Sequence, residues 1–186
     1  GDNVLAGGPG NDRLDGGAGS DTVSYAEAGA AVTVSLASGS GSGAGQGADI
    51  LVSIEGVSGS AFNDTLSGST SADTLQGGAG GDNMFGGGGA DFVFGETGND
   101  TLTGNPGALL LDGGDGNDML FAPGSQSAAL TLTGGAGNDA ITAGGGALFG
   151  DAGNDTLTVT GVVTGLRLDG GAGDDVLIGG DGNDVL

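Results

Sequence analysis

The sequence predicts an all-β repeat protein in which short strands alternate with glycine-rich loops. Of its 186 residues, 48 are Gly and 3 are Pro, a share of about 27% that is typical of disorder or of a repeat array. Aspartates recur every nine residues from Asp64 to Asp100, and a larger apolar residue follows each of them by two positions. Because successive strand residues point to opposite faces, this spacing places the apolar residue inside and its neighbours outside.

Composition and charge exclude several classes of function. The chain carries 24 acidic residues against Arg13 and Arg167, for a net charge of −22, and has no His, Cys or Trp. Without His or Cys there is no usual zinc site, thiol nucleophile, Ser-His-Asp triad or disulfide. So acidic a chain is expected to repel nucleic acid and anionic membranes. No apolar run approaches the roughly 18 residues that span a bilayer.

The repeating unit is a hexad of the form G-G-x-G-x-D followed by three strand residues, as in GGAGND at 134–139. Calcium prefers six to eight oxygen ligands, and glycines leave their carbonyl oxygens accessible to an ion. The candidate carboxylate ligands close the hexads: Asp12, Asp21, Asp64, Asp73, Asp82, Asp91, Asp100, Asp118, Asp139, Asp155, Asp175 and Asp184. The candidate carbonyl ligands are those of Gly77, Gly80, Gly86, Gly95, Gly98, Gly113, Gly116, Gly134, Gly137, Gly150, Gly153, Gly170, Gly173, Gly179 and Gly182.

This unit resembles the nonapeptide G-G-x-G-x-D-x-U-x of the RTX (repeats-in-toxin) calcium-binding proteins, and the resemblance covers nearly the whole chain. It implies a right-handed parallel β-roll with two nonapeptides in each coil of about 18 residues. Calcium would lie between the loops of successive coils, and one ion per stacked pair gives roughly seven to ten Ca²⁺ in all. The resemblance also implies type I secretion and folding outside the cell.

Alternate loops of such a coil fall on opposite edges. The first edge carries Asp64 and its equivalents as far as Asp175, whereas on the second edge the motif fails at GNPGAL, residues 104–109. We therefore predict four segments: RTX repeats at 1–24, an enlarged irregular coil at 25–63, regular repeats with calcium loops on both edges at 64–103, and coils with calcium loops mainly on one edge at 104–186.

Residues 25–63 depart from the repeat. VTVSL at 32–36 and ILVSIEGV at 50–57 predict two longer strands, and the Gly/Ser/Ala stretch at 38–48 predicts a flexible loop between them. Asp49, which follows this stretch, is either an extra ligand or a turn residue.

The function predicted from the sequence is that of an extracellular, calcium-binding β-roll that folds on binding Ca²⁺ and serves as a structural or spacer module. One alternative is a self-assembling subunit of an extracellular filament or surface layer, and a more remote one is a non-catalytic module of a polysaccharide-modifying enzyme. No enzymatic activity is predicted, because no pattern pairs Glu27, Glu55 or Glu96. Both termini fall within a repeat, so self-association could use the solenoid ends, or the outward residues Phe85, Phe92, Phe94 and Phe121.

Overall fold

The computed structural model describes residues 1–125, 127–161 and 166–180, which form two β-sheets. One sheet has nine strands, in the spatial order β1 (Val4–Leu5), β3 (Thr22–Ser24), β7 (Gly56–Ser58), β9 (Thr74–Ala79), β11 (Phe92–Thr97), β13 (Leu110–Asp115), β15 (Thr131–Ala136), β17 (Ala147–Ala152) and β19 (Arg167–Asp169). The other has eleven, in the order β2 (Arg13–Asp15), β6 (Gly47–Val52), β5 (Ser40–Gly43), β4 (Val32–Ser35), β8 (Thr65–Ser67), β10 (Asn83–Phe85), β12 (Thr101–Thr103), β14 (Met119–Ala122), β16 (Ala140–Ala143), β18 (Thr156–Val159) and β20 (Val176–Ile178).

From β7 onward the chain alternates between the sheets, and each strand pairs in parallel with its equivalent in the next coil. Asn83 of β10, for example, lies opposite Thr65 on one side and Thr101 on the other, each 18 residues away in the sequence. The protein is therefore an all-β parallel solenoid with about 18 residues per coil, which confirms the predicted fold class. No helix long and apolar enough to cross a membrane occurs in the described residues.

Most strands point one aliphatic side chain into the space between the two sheets. These side chains form two columns, one from each sheet. At most 2% of each is exposed: Val34, Leu66, Met84, Leu102, Leu120, Ile141 and Leu157 from one sheet, and Val23, Val57, Leu75, Val93, Leu111, Leu132, Leu148 and Leu168 from the other. Burial of one such side chain contributes about 1.5–3 kcal/mol. The predicted inward position, two residues after each closing Asp, is thus confirmed from Leu66 to Leu157.

The aromatic residues follow the same alternation. Phe85, Phe92 and Phe121 lie on outer faces and are 40–48% exposed, whereas Phe94 is half-buried. The outward placement predicted for them holds, since each flanks an inward residue of its strand.

The flexible loop predicted at 38–48 is wrong. Residues 40–43 form β5, which pairs antiparallel with both β4 and β6, and β6 already begins at Gly47. The segment 50–57 is likewise two strands, because β6 ends at Val52 and β7 begins at Gly56 in the other sheet. Small residues allow this packing, since a Cβ at the buried Gly41 would overlap the hydroxyl group of Tyr25.

The β4–β5–β6 meander takes the place of a single strand in the eleven-stranded sheet. β4 pairs in parallel with β8, and β6 pairs in parallel with β2. Because three strands reverse direction twice, the chain leaves the meander in the direction in which it entered. The parallel stacking therefore continues on both sides of it.

The two edges of the solenoid differ in how they absorb changes in length. We call the loops that enter the eleven-stranded sheet the first edge, and those that enter the nine-stranded sheet the second edge. The register from β8 to β20 gives coil lengths of 18, 18, 18, 21, 16 and 20 residues. The connections of different length follow β14, β16 and β18, all on the second edge.

Gly98 should be replaceable only at a large cost in stability. It has a φ of 131°, and a Cβ there would overlap the Gly80 carbonyl of the preceding coil. Gly98→Ala is expected to lower the free energy of unfolding by about 1–3 kcal/mol, as measured by thermal unfolding in millimolar calcium.

Gly88→Ala is the matched control, because a Cβ at Gly88 would meet only ordinary contacts of 3.5 Å and more. Equal melting temperatures for the two variants would contradict the close stacking of the hexads.

Candidate calcium-binding loops

The closing aspartates lie where each loop enters a strand, and most are buried. On the first edge, Asp64, Asp82, Asp100, Asp118, Asp139 and Asp155 are at most 2% exposed, and on the second edge so are Asp21, Asp73 and Asp91. Asp12 and Asp175 are partly exposed. Gly179 follows β20, and the predicted ligands Asp184 and Gly182 lie outside the described residues.

A hydrogen-bond ladder joins the aspartates of the first edge. The backbone N–H of each Asp donates to Oδ1 of the Asp in the next coil, at 2.7–3.0 Å. The ladder begins at the N–H of Val32, which donates to Asp64, and continues to Asp175. It runs without interruption through coils of 16, 20 and 21 residues. The first edge is therefore regular even where the second edge changes length.

In eight of the described closing aspartates, taken over both edges, one carboxylate oxygen is buried and has no hydrogen-bond partner. This holds for Oδ2 of Asp12, Asp21, Asp82, Asp100, Asp118, Asp139 and Asp155, and for Oδ1 of Asp73. A buried charge is costly unless a cation or a hydrogen-bond donor compensates it. At each of these eight unpartnered oxygens in the described residues, a bound cation would offset the cost of the buried charge.

Burial raises the pKa values of several closing aspartates. The pKa of Asp82 rises to about 7 and those of Asp118 and Asp139 to about 6. Desolvation is the largest cause. The N–H of the preceding coil opposes it, while the neighbouring carboxylates add to it. The pKa values of Asp73, Asp91, Asp100 and Asp155 are raised as well, again mainly by burial.

Main-chain carbonyls complete the arrangement. In the described residues no three acidic side chains come close enough to hold a metal ion by themselves. The carbonyl oxygen of Gly113 lies against Gly95, however, where Oδ2 of Asp100 also lies. The first-glycine carbonyls of Gly77, Gly86, Gly134 and Gly170 lie in the same way beside the preceding hexad. Carboxylate and carbonyl oxygens are the usual ligands of Ca²⁺, so the donor set fits that ion.

The glycines at the fourth position of the hexads bring a second row of carbonyls together. A Cβ at Gly116 would overlap the carbonyl oxygen of Gly98, one coil earlier. The same contact recurs for the carbonyls of Gly80, Gly116, Gly137 and Gly153. Each of them lies against the glycine at the fourth position of the following hexad. Only glycine leaves room for successive loops to stack this closely.

Three loops supply protein donors to closing carboxylates, two of them to their own and one to that of the preceding coil on the same edge. Ser60 and Ser69, which replace the second glycine, each donate a backbone N–H and a hydroxyl hydrogen bond, to Asp64 and Asp73 respectively. The side-chain amide of Asn105 donates to Oδ2 of Asp91 at 2.7 Å. The second-edge pair Asp73 and Asp91 therefore differs from the first-edge ladder, in which Oδ2 has no such donor from Asp82 to Asp155.

The residues AGQGAD at 44–49 occupy the position of a hexad, for which the sequence left Asp49 as either an extra ligand or a turn residue. Oδ1 of Asp49 accepts the N–H of Asp12 at 3.0 Å, as in the ladder, and Gly47 stacks on the Gly10 carbonyl as a fourth glycine does. The Tyr25 hydroxyl group donates to Oδ2 of Asp49 at 2.9 Å, and burial raises the pKa of Tyr25. Asp49 is thus a buried member of a stacked loop. Ala44 takes the place of the first glycine, which is why the sequence alone left the role of Asp49 open.

A second ladder, also missed from the sequence, runs along the exposed rim of the first edge. The backbone N–H of Asn117 donates to Oδ1 of Asn99 at 2.7 Å, and Asn138 and Asn154 continue the series. In these bonds the N–H donor belongs to the later coil and the acceptor to the earlier one, whereas in the aspartate ladder the donor belongs to the earlier coil. The recurrent Asn-Asp at the end of the hexads was the available signal.

Comparison with known proteins agrees with this geometry. A family model described as the RTX calcium-binding nonapeptide repeat, in four copies, matches residues 1–27, 58–93, 85–120, 131–157 and 167–186. No curated protein matches the chain. The matched ranges cover well over half of the sequence and leave out the meander. The chain belongs to the RTX calcium-binding nonapeptide repeat family.

Proposed function

We propose that the chain is an extracellular structural module that binds roughly seven to ten Ca²⁺ between its stacked loops and folds as it binds them. The observation that carries this proposal is the set of eight buried carboxylate oxygens without a partner in the described residues. The repeat of this family is a structural, calcium-binding one, and its proteins are typically secreted by type I systems. The proposal extends both properties to this chain.

Each part of the hexad has a defined role in this proposal. The N–H ladder holds Oδ1 of each Asp and so directs Oδ2 toward the first glycine. The carbonyl of the following loop lies at the same place, which makes each ion a link between two coils. Calcium supplies the positive charge that the described surroundings of Oδ2 lack. Because each loop faces two neighbours, binding at one pair of loops orders half of the next pair.

Folding without calcium is opposed by charge and entropy. The net charge is −22, and both arginines pair with a strand neighbour on the surface, Arg13 with Asp15 and Arg167 with Asp169. A glycine-rich chain loses much backbone entropy when it orders. Metal binding that offsets both costs is coupled to folding.

The chain is expected to expand when calcium is removed. Sedimentation velocity in millimolar calcium should give a compact monomer, whereas in chelator the radius of gyration should approach about 46 Å, the value for an unfolded chain of this length. An unchanged sedimentation coefficient would contradict coupled folding.

Asp100→Asn should weaken calcium binding without breaking the ladder. Asparagine keeps an oxygen that can accept the Asp82 N–H, but it removes the charge at Oδ2. The calcium midpoint for folding, followed by far-UV circular dichroism, is expected to rise about tenfold, which corresponds to ~1.4 kcal/mol.

Asp115→Asn is the control for this variant, since Asp115 lies on the same edge, is exposed and loses the same charge. A shift in midpoint as large as that of Asp100→Asn would show that general charge, and not the buried oxygen, sets the affinity.

Acid should partly replace calcium. The folded-state pKa of Asp82 is about 7, against an ordinary value of 3.8. A raised carboxyl pKa stabilises the fold below the unfolded-state value, and this contribution is lost as the pH rises through the folded-state value. In chelator the chain should therefore be more compact at pH 5 than at pH 8, as measured by small-angle scattering. In saturating calcium the dependence on pH over this range should be weak, and equal expansion at both pH values in chelator would contradict the argument.

A self-assembling subunit of a filament or surface layer is the second candidate. One observation favours it: Phe85, Met119, Phe121 and Ile178 are 45–54% exposed on the outer face of the eleven-stranded sheet. Phe85 and Phe121 lie in register two coils apart, with Thr103 between them. Exposed apolar patches of this kind often mark contact surfaces.

Sedimentation distinguishes the two candidates. Large species that form in calcium and disappear in Phe121→Ser would support assembly through this face. A compact monomer at all concentrations would support the spacer module.

A further inference from the structure

The turn at residues 53–55, between β6 and β7, lies where regular coils of the second edge carry a hexad. The register of the nine-stranded sheet pairs Thr22 with Gly56 and Gly56 with Thr74. These three residues are preceded by Asp21, Glu55 and Asp73, respectively. Glu55 therefore occupies the position of a closing aspartate. Only three residues separate β6 from β7, in place of the six of a hexad.

The turn reproduces the contacts of a hexad. The N–H of Asp21 donates to Oε2 of Glu55 at 3.0 Å, as a ladder N–H donates to the next aspartate. The carbonyl oxygen of Ser53 lies against Gly16, just as the Gly113 carbonyl lies against Gly95.

The N–H of Gly16 donates to the Val52 carbonyl, just as the N–H of Gly59 donates to the carbonyl of Gln76, the residue before a first glycine. By this register Ser53 stands for the first glycine of a loop, and Glu55 for its last residue. The φ of Ser53, 51°, differs from that of the first glycines and shows that the backbone of the shortened turn takes its own path.

The opposite loop presents a fully buried carboxylate to this turn. Asp21 is 0% exposed, and its Oδ1 accepts both the backbone N–H and the side-chain amide of Asn3. Its Oδ2 has no partner. A Cβ at Gly16 would overlap both the carboxyl carbon of Asp21 and the Ser53 oxygen, so these two groups converge at Gly16.

The ladder is also broken next to Glu55. Its N–H donates to the Asp21 carbonyl at 2.9 Å and not to the following carboxylate. Oδ1 of Asp73, which such an N–H would otherwise reach, is therefore left without a partner. On either side of Glu55 one buried carboxylate oxygen, Oδ2 of Asp21 or Oδ1 of Asp73, thus has no protein donor among the described residues.

We propose that the hexad at 16–21 and the turn at 53–55 form a further Ca²⁺ site, a shortened version of a stacked pair of loops. Its ligands are Oδ2 of Asp21, the Glu55 carboxylate and the Ser53 carbonyl, with hexad carbonyls completing the set. Glutamate has one methylene more than aspartate, and this extra reach compensates for the shorter turn. The family model does not match residues 28–57, because the turn has neither the glycines nor the aspartate of the motif.

The inference rests on the proposed calcium binding and is tested by counting ions. Native mass spectrometry of the full chain in calcium gives the number of Ca²⁺ per chain. Glu55→Gln is expected to bind one ion fewer than the wild type, since Gln keeps an acceptor for the Asp21 N–H but loses the charge. Glu27→Gln is the matched control, because Glu27 is exposed in the turn after β3 and its loss should leave the count unchanged.

The outcomes separate the two proposals. A wild-type chain that binds no calcium overturns the proposed function and this site with it. A wild type that binds several ions, with the same count for Glu55→Gln, overturns only the site. Should Glu55→Gln not fold, Glu55→Asp retains the charge but not the reach. A loss of one ion in that variant supports the site, and an unchanged count overturns it.

Discussion

The structure depends on carboxylates that are buried in a row and only half satisfied by the protein. One oxygen of each ladder aspartate accepts an N–H from the preceding coil, and from Asp82 to Asp155 the other oxygen is buried without a protein partner. Desolvation therefore raises the carboxyl pKa values of Asp82, Asp118 and Asp139 in successive coils of the first edge. Most strands add only one or two inward apolar residues to the aliphatic columns, a limited apolar burial to set against the ordering entropy of so glycine-rich a chain.

The exceptions to the repeat are local solutions to the same problem. The side chains of Ser60, Ser69, Asn105 and Tyr25 each donate a hydrogen bond to a buried carboxylate. These donors lie in or beside the degenerate loops and the meander, where the glycines of the hexad are incomplete. A carboxylate at this position must meet either a hydrogen-bond donor or an ion, and the local sequence decides which of the two is available.

The sequence could predict whatever repeats with a period of nine or eighteen. The inward column from Leu66 to Leu157, the solenoid and the two edges all follow from that spacing. It could not predict the β4–β5–β6 meander, because a Gly/Ser stretch carries no hydrophobic alternation and gains its place only by packing on Tyr25. The sequence left the role of Asp49 open and assigned none to Glu55 for a related reason: both roles depend on which coil lies next to these residues, and sequence distance gives no measure of that.

The two ladders of the first edge point in opposite directions, and this has an evolutionary consequence. Each first-edge hexad that ends in Asn-Asp offers the same donors and acceptors to the hexad before it and to the hexad after it. A whole coil could therefore be duplicated or deleted by recombination, and the new neighbours would still match in both ladders. Overall length is then a freely varying trait in such a lineage, while the chemistry at each junction stays constant.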